Sequence, residues 1–139
     1  MINYHVYSEL EREYLLSKEF FEGWPFPPSE ETHQKILKNS YRSIVAIDQS
    51  SDEIIGFITI ISDGILSAYI PLLEVVRSYR GRGIGKELVR LALNHLQDFY
   101  MVDLSCDEEL MPFYESFGMT PARAMIRRHY DKSKGRADD

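Results

Sequence analysis

The chain has 139 residues, 44% of them hydrophobic, 12% aromatic and 27% charged, enough for one domain with its own core and too few for a second. A formal charge of -6 removes the basic face that a general nucleic-acid binder needs. One cysteine, Cys106, excludes an internal disulfide and a Cys-rich zinc site, and residues 1–13 carry no apolar signal segment, so the expected setting is reducing and cytoplasmic, with no membrane span. His5, His33, His95 and His129 lack the close pairing of zinc hydrolases and read as ordinary histidines.

In chain order, residues 8–21 place Leu10, Tyr14, Leu15, Phe20 and Phe21 at near-helical spacing behind Ser8 and Glu11, which are spaced as a capping box. A first helix is predicted there. Pro25, Pro27 and Pro28 then forbid helix and make a stiff aromatic loop around Trp24 and Phe26. Ser29 with Thr32 opens a second helix through Lys38, and Asn39 supplies its stop.

Residues 41–47 and 53–61 are rich in β-branched side chains around a polar turn, which predicts a hairpin. After the turn dipeptide Asp63-Gly64, residues 65–76 predict a third antiparallel strand. Ile84, Leu88, Leu91, Ala92, His95, Leu96 and Phe99 mark one face of a helix over 85–99. A short strand over 101–105 follows, then a helix that begins near Met111, because Pro112 is comfortable only in a first turn, and ends at Gly118. A last strand is expected over 124–130, within one domain spanning 1–130, and residues 131–139 read as a mobile polar tail.

The chemistry-bearing stretch runs from Leu72 to Leu88. A strand enters Arg80-Gly81-Arg82-Gly83-Ile84-Gly85-Lys86 and then an amphipathic helix, so several N–H groups gather at the positive end of a helix without Cβ atoms to fend off an anion. Gly81, Gly83 and Gly85 are spaced G-x-G-x-G, not the G-x-G-x-x-G of a dinucleotide fold. A Walker loop would need Gly at Arg80 and Ser or Thr at Glu87.

With these residues, Arg80 to Gly85 resembles the pyrophosphate loop of the GNAT superfamily of acyl-CoA-dependent N-acyltransferases, and Pro112-Phe113-Tyr114-Glu115-Ser116-Phe117-Gly118-Met119 is similar to that family's tyrosine-bearing helix. The resemblance implies an α/β (α+β) fold: a mixed, largely antiparallel sheet flanked by about four helices. It implies acetyl-CoA as co-substrate, with no metal, held by Arg80, Gly81, Arg82, Gly83, Ile84, Gly85 and Lys86 at the pyrophosphate and by Val75, Val76 and Asp107 along the pantetheine arm. Tyr114 would protonate the leaving thiolate. The acceptor implied is a small-molecule or peptide amine, bordered by Glu22 and Trp24, and the protein would be a monomer or homodimer.

Acid–base chemistry adds a requirement of its own. An alkylamine of pKa ~10 must lose a proton before it attacks a thioester, so a base or a water chain is needed. Glu74, a lone acid in an apolar strand, must face water or a cleft and is the first candidate. Asp103 and water are the alternatives. Cys106 reads as a small buried residue, and Arg127-Arg128-His129 as a solvated strand face. A non-catalytic acyl-CoA-binding module of the same fold is the competing function.

Overall fold

A computed structural model describes residues 1–23 and 25–136. Its backbone is a six-stranded sheet: β1 (Ile2–Val6), β2 (Arg42–Asp48), β3 (Glu53–Ser62), β4 (Ser67–Tyr69), β5 (Leu73–Val75) and β6 (Met101–Asp103). The order is β1-β2-β3-β4-β6, with β5 paired to β3 beside β4. All pairs are antiparallel except β4 with β6. Three α-helices, rather than about four, lie among the described residues: α1 (Glu30–Asn39), α2 (Ile84–Asn94) and α3 (Met111–Glu115).

The hairpin forms where the β-branched runs predict it, and Ser29 caps α1 by accepting the Thr32 N–H on its hydroxyl at 3.1 Å. Pro112 sits in the first turn of α3, and Gly118, at φ 86°, ends the turn that follows. The helix expected over 8–21 does not form. Tyr7–Glu9 and Lys18–Phe21 are single 3-10 turns, and between them the chain runs along β3. Ser17 N–H donates to the Ile54 carbonyl, and Ile54 N–H donates to Leu15, both at 2.9 Å. These sheet bonds bury Leu16 and leave Leu15 exposed, which a helix over the same residues could not achieve.

The strand expected over 65–76 is broken in two. Around Pro71 the chain changes partners: Ile70 N–H donates to the Asp103 carbonyl of β6 at 2.9 Å and the Leu72 carbonyl accepts from Thr59 N–H of β3 at 3.0 Å, so β4 continues toward β6 while β5 stays on β3 alone. No strand forms over 124–130, and Cys106 is exposed rather than buried. Of the expected tail, residues 137–139 lie outside the described residues. Ser133 Oγ donates to the Phe26 carbonyl at 3.3 Å, and Lys134 stands 5.3 Å from the centre of the Phe26 ring.

Alternation along β3 assigns the two faces of the sheet. A Cβ on Gly56 would approach Ile84 and Leu88 at 3.4 Å, so that face carries α2, whose Ile84, Leu88, Val89 and Ala92 are buried. Phe57, one residue on, meets Phe20 at 5.4 Å and His33 at 6.0 Å between ring centres, so the other face carries α1 and the Lys18–Phe21 turn. In β5, Glu74 stands opposite Phe57 and Val75 opposite Gly56. Glu74 is therefore aimed at the α1 side and Val75 at the α2 side.

The turn before the glycine loop, Arg77–Tyr79, is tied to the sheet by the Tyr79 hydroxyl, which donates to the buried Asp48 carboxylate. Tyr79, then the hydroxyl and N–H of Ser50, hold the Asp48 carboxyl down at about 2. Its unfolded value is ~3.9, so this contribution to stability is complete above that pH and is lost as the pH falls through about 2. Asp48→Asn is expected to flatten that part of the acid unfolding curve. Melting temperature against pH for both proteins checks it, and parallel curves below pH ~4 would refute it.

Candidate active site

The break between β4 and β5 creates the site. β4 carries β6 as its outer neighbour, whereas β5 has β3 on one side and, among the described residues, no strand on the other. A cleft of about 840 Å³ wraps this free edge, within the range of small-molecule sites. Its walls come from the Lys18–Phe21 turn and the residues after it (Glu19, Phe20, Glu22, Gly23), from β5 and its exit, from Gly85 at the start of α2, and from Leu110, Phe113 and Tyr114.

Backbone bonding determines what β5 offers to the cleft. Val76 N–H donates to the Ile55 carbonyl at 3.0 Å, and Val76 C=O accepts from Tyr79 N–H at 3.0 Å, so both groups of Val76 are engaged. Antiparallel alternation turns the N–H and C=O of Val75 the other way, to the open side. The Val75 carbonyl accepts the Arg80 Nε–H at 3.1 Å, which holds that guanidinium across the edge. The Val75 N–H is the donor left for a ligand. Of the two amides expected from the sequence to serve, the structure frees one.

The glycine loop closes one end. Gly81 and Gly83 both have φ 79°, a left-handed conformation that L side chains rarely adopt, and a Cβ built on either meets nothing within 4 Å. Gly83 is the N-cap of α2, whose first internal bond runs from Glu87 N–H to the Gly83 carbonyl at 3.0 Å. The N–H groups of Ile84, Gly85 and Lys86 precede that bond and have no carbonyl one turn back to receive them. The Arg82 guanidinium stacks 4.8 Å from the centre of the Tyr79 ring, and the Ile84 side chain is buried under the loop. The loop thus presents donors, open space and positive charge together, which suits a pyrophosphate.

Glu74 enters the cleft from the middle of β5 and is largely buried there. Burial pushes its carboxyl up, and the charges of His33 and Arg80 partly offset that rise. His33 gives no sign of this role in the sequence, since nothing there distinguishes it from His5 or His95. In the fold it is 2% exposed, its Nδ1 lies 3.0 Å from the Ser29 carbonyl, and Phe21 packs edge-on at 5.2 Å. A carbonyl can only accept, so Nδ1 carries the proton and Nε2 is the ring's other polar atom.

Tyr114, on α3, lines the same cleft as Glu74. Its ring is half-buried, edge-on to Phe113 at 5.0 Å, and burial pushes the phenol up, with a smaller contribution from Cys106. Glu22 also lines the cleft. Trp24, expected beside it, lies outside the described residues. Asp107 starts the 3-10 turn Glu108–Leu110, is exposed, and does not line the cleft. Asp103 is an exposed edge residue of β6, away from the cleft walls. Glu19 escapes the sequence reading because it falls within the helix expected there. Its carboxylate accepts both the N–H (3.1 Å) and the hydroxyl of Ser78, which ties the Lys18–Phe21 turn to the turn before the glycine loop.

No group of His, Cys, Asp and Glu among the described residues is arranged to hold a metal ion, and no described helix is long and apolar enough to cross a membrane.

Comparison with known proteins places this geometry in context. The family model described as acetyltransferase (GNAT) family matches residues 8–119. A provisionally assigned acetyltransferase from Deinococcus radiodurans R1 is 41% identical and superposes with a TM-score of 0.86, covering 99% of this chain and 94% of that one. A GNAT-family acetyltransferase from Streptococcus pneumoniae TIGR4 is 26% identical with a TM-score of 0.69, covering 93% and 98%. Glucosamine-6-phosphate N-acetyltransferase from Arabidopsis thaliana, 17% identical over 94% and 99% of the two chains, shares the fold at a TM-score of 0.65. No curated protein matches the chain.

Proposed function

We propose, from the premise that this chain belongs to the acetyltransferase (GNAT) family, that it transfers acetyl from acetyl-CoA to a cationic primary amine by direct attack. The observation that carries the reading is the cleft around the free edge of β5, lined by Glu74 and Tyr114 and, through Arg80 and Gly85, by the glycine loop and the first turn of α2.

Acetyl-CoA supplies the thioester that the amine attacks. The loop donors from Arg82 to Lys86 take the pyrophosphate, and the Val75 N–H pairs with the pantetheine arm or with the carbonyl oxygen that gains charge during attack. Glu74 removes a proton from the incoming ammonium, which frees its lone pair. As the carbon–nitrogen bond forms and the carbon–sulfur bond breaks, Tyr114 gives its proton to the departing sulfur. The products are an amide and a free thiol. Glu19, Glu22 and Glu74 line the cleft against Arg77 and Arg80, an excess of acid that favours a cationic acceptor over an anionic one.

Thiol release from acetyl-CoA against polyamines, amino acids, aminoglycosides and peptide N-termini tests this. Turnover with a cationic amine is expected. Binding of CoA without thiol release from any amine would make the protein an acyl-CoA-binding module instead.

Gly85 gives a separate check on the cradle. It lies in the first turn of α2 at an ordinary φ, and a Cβ there meets only Val75 Cγ2, at an unstrained 3.8 Å. Gly85→Ala is therefore expected to fold at least as well as the parent, because Ala is the better helix former. Acetyl-CoA affinity should still fall about tenfold, a loss of ~1.4 kcal/mol, because the methyl stands where the ligand approaches. Calorimetric binding with parallel melting curves checks it, and equal affinities would move the pyrophosphate elsewhere.

A further inference from the structure

Behind the wall of the cleft the fold brings together two ionisable side chains from distant segments. Glu74 of β5 stands directly opposite Phe57 of β3, and residues so paired on one face hold their Cβ atoms about 5 Å apart. His33 of α1 covers the same Phe57, edge-on, with ring centres 6.0 Å apart. One phenylalanine therefore has the carboxylate beside it and the imidazole over it. Phe20, part of the cleft wall, meets both rings, at 5.4 Å from Phe57 and 6.1 Å from His33, while His33 is buried and does not itself line the cleft.

The imidazole is fixed in place. Its Nδ1–H and its backbone N–H both donate to the Ser29 carbonyl, at 3.0 and 2.9 Å, and Phe21 closes the aromatic cage at 5.2 Å. Only Nε2 is left to take a second proton, and with it the ring becomes a cation. The neighbouring acids have partners of their own. Glu30, on the turn of α1 before His33, accepts the Leu16 N–H at 3.0 Å and Gln34 Nε2 at 2.8 Å, and Glu19 accepts from Ser78. Arg80 is held on the Val75 carbonyl, and Glu22, Arg77 and Tyr114 complete the ionisable lining of the cleft. Glu74 takes no hydrogen bond among the described residues. Burial pushes its carboxyl up, and the influence that most opposes burial is His33, ahead of Arg80.

We propose that His33 is a positioning residue for acetyl transfer: through its charge, and without touching substrate, it keeps Glu74 ionised and so sets the lowest pH at which the amine can be deprotonated. The inference rests on the reading of Glu74 as the base. An imidazolium across Phe57 favours the carboxylate, so its removal leaves burial less opposed and Glu74 holds its proton to higher pH.

Carbon-13 NMR titration of the glutamate carboxyls in the full chain, with the Glu74 signal assigned by its loss in Glu74→Gln, tests the pairing, and kcat/KM against pH on the same proteins tests its consequence. His33→Phe keeps an aromatic ring in the cage and His33→Gln keeps a polar side chain, and both lack the charge. In each, the Glu74 midpoint should rise by about half a pH unit or more, and the acid limb of kcat/KM should move up with it, a loss of about threefold on that limb that closes at alkaline pH. A purely structural histidine predicts a uniform fall in kcat/KM with an unmoved midpoint, and that result in either variant would overturn the proposal. A midpoint that rises while the acid limb stays in place would uphold the pairing and refute Glu74 as the base.

Discussion

Tyr114→Phe is expected to lower kcat about a hundredfold while leaving acetyl-CoA affinity near its parent value, the loss typical of removing a general acid. The ring is held by packing, edge-on to Phe113, which is in turn 5.3 Å from Phe117, so Phe keeps every apolar contact. The hydroxyl has no hydrogen-bond partner among the described residues, and its removal strands no buried donor or acceptor. What disappears is one proton at the edge of the cleft. Burial raises the phenol above its ordinary ~10, so it stays protonated across neutral and alkaline pH and is available to donate. Handing that proton to a thiolate of pKa ~8.5 costs about 2 kcal/mol or slightly more, small beside a chemical barrier and recovered when solvent reprotonates the phenolate. Single-turnover thiol release, which isolates chemistry from product release, is the measurement. An unchanged rate there would assign the protonation to water.

Much of this site was legible in the residues because its parts are local. Glycines at 81 and 83 announce positive φ, a following amphipathic stretch announces the helix whose end they cap, and Phe113-Tyr114 follows at a fixed distance. Glu74 stood out as an acid in an apolar strand. The missing parts depend on distant partners. Residues 15–17 have helical spacing but lie along β3, where Ile54 takes their hydrogen bonds, and no local pattern encodes that choice. The same error hid Glu19 and Phe20, which reach the cleft only because that segment is unwound. His33 becomes significant only when β5 brings Glu74 into its field. The strand expected over 124–130 does not form, and no backbone N–H of that segment reaches a carbonyl among the described residues.

Glu74→Gln is expected to lower kcat/KM for an amine acceptor by about a hundredfold or more near neutral pH, with the deficit shrinking as the pH approaches the amine's own ~10. A group that only removes a proton becomes dispensable once solution has removed it. Burial, which pushes the Glu74 carboxyl up, makes the carboxylate a stronger base than an exposed glutamate, and His33 and Arg80 temper that rise. If Glu74 only attracted a cation, the substitution would raise KM over the whole range in which both charges persist and leave kcat alone. A profile parallel to the parent's would refute the base role, and the same pH-dependent deficit in Asp103→Asn would transfer it. Stability supplies an independent readout with the opposite sign. A carboxyl whose folded pKa exceeds its unfolded ~4.3 favours the native state in acid and loses that contribution as the pH rises through the folded value. Above its folded value the ionised Glu74 therefore weakens the fold, and Glu74→Gln should melt higher than the parent there, the two curves converging below pH ~4. A variant that is both more stable and less active above that value is the signature of a carboxylate kept in a poorly solvated cleft for its chemistry.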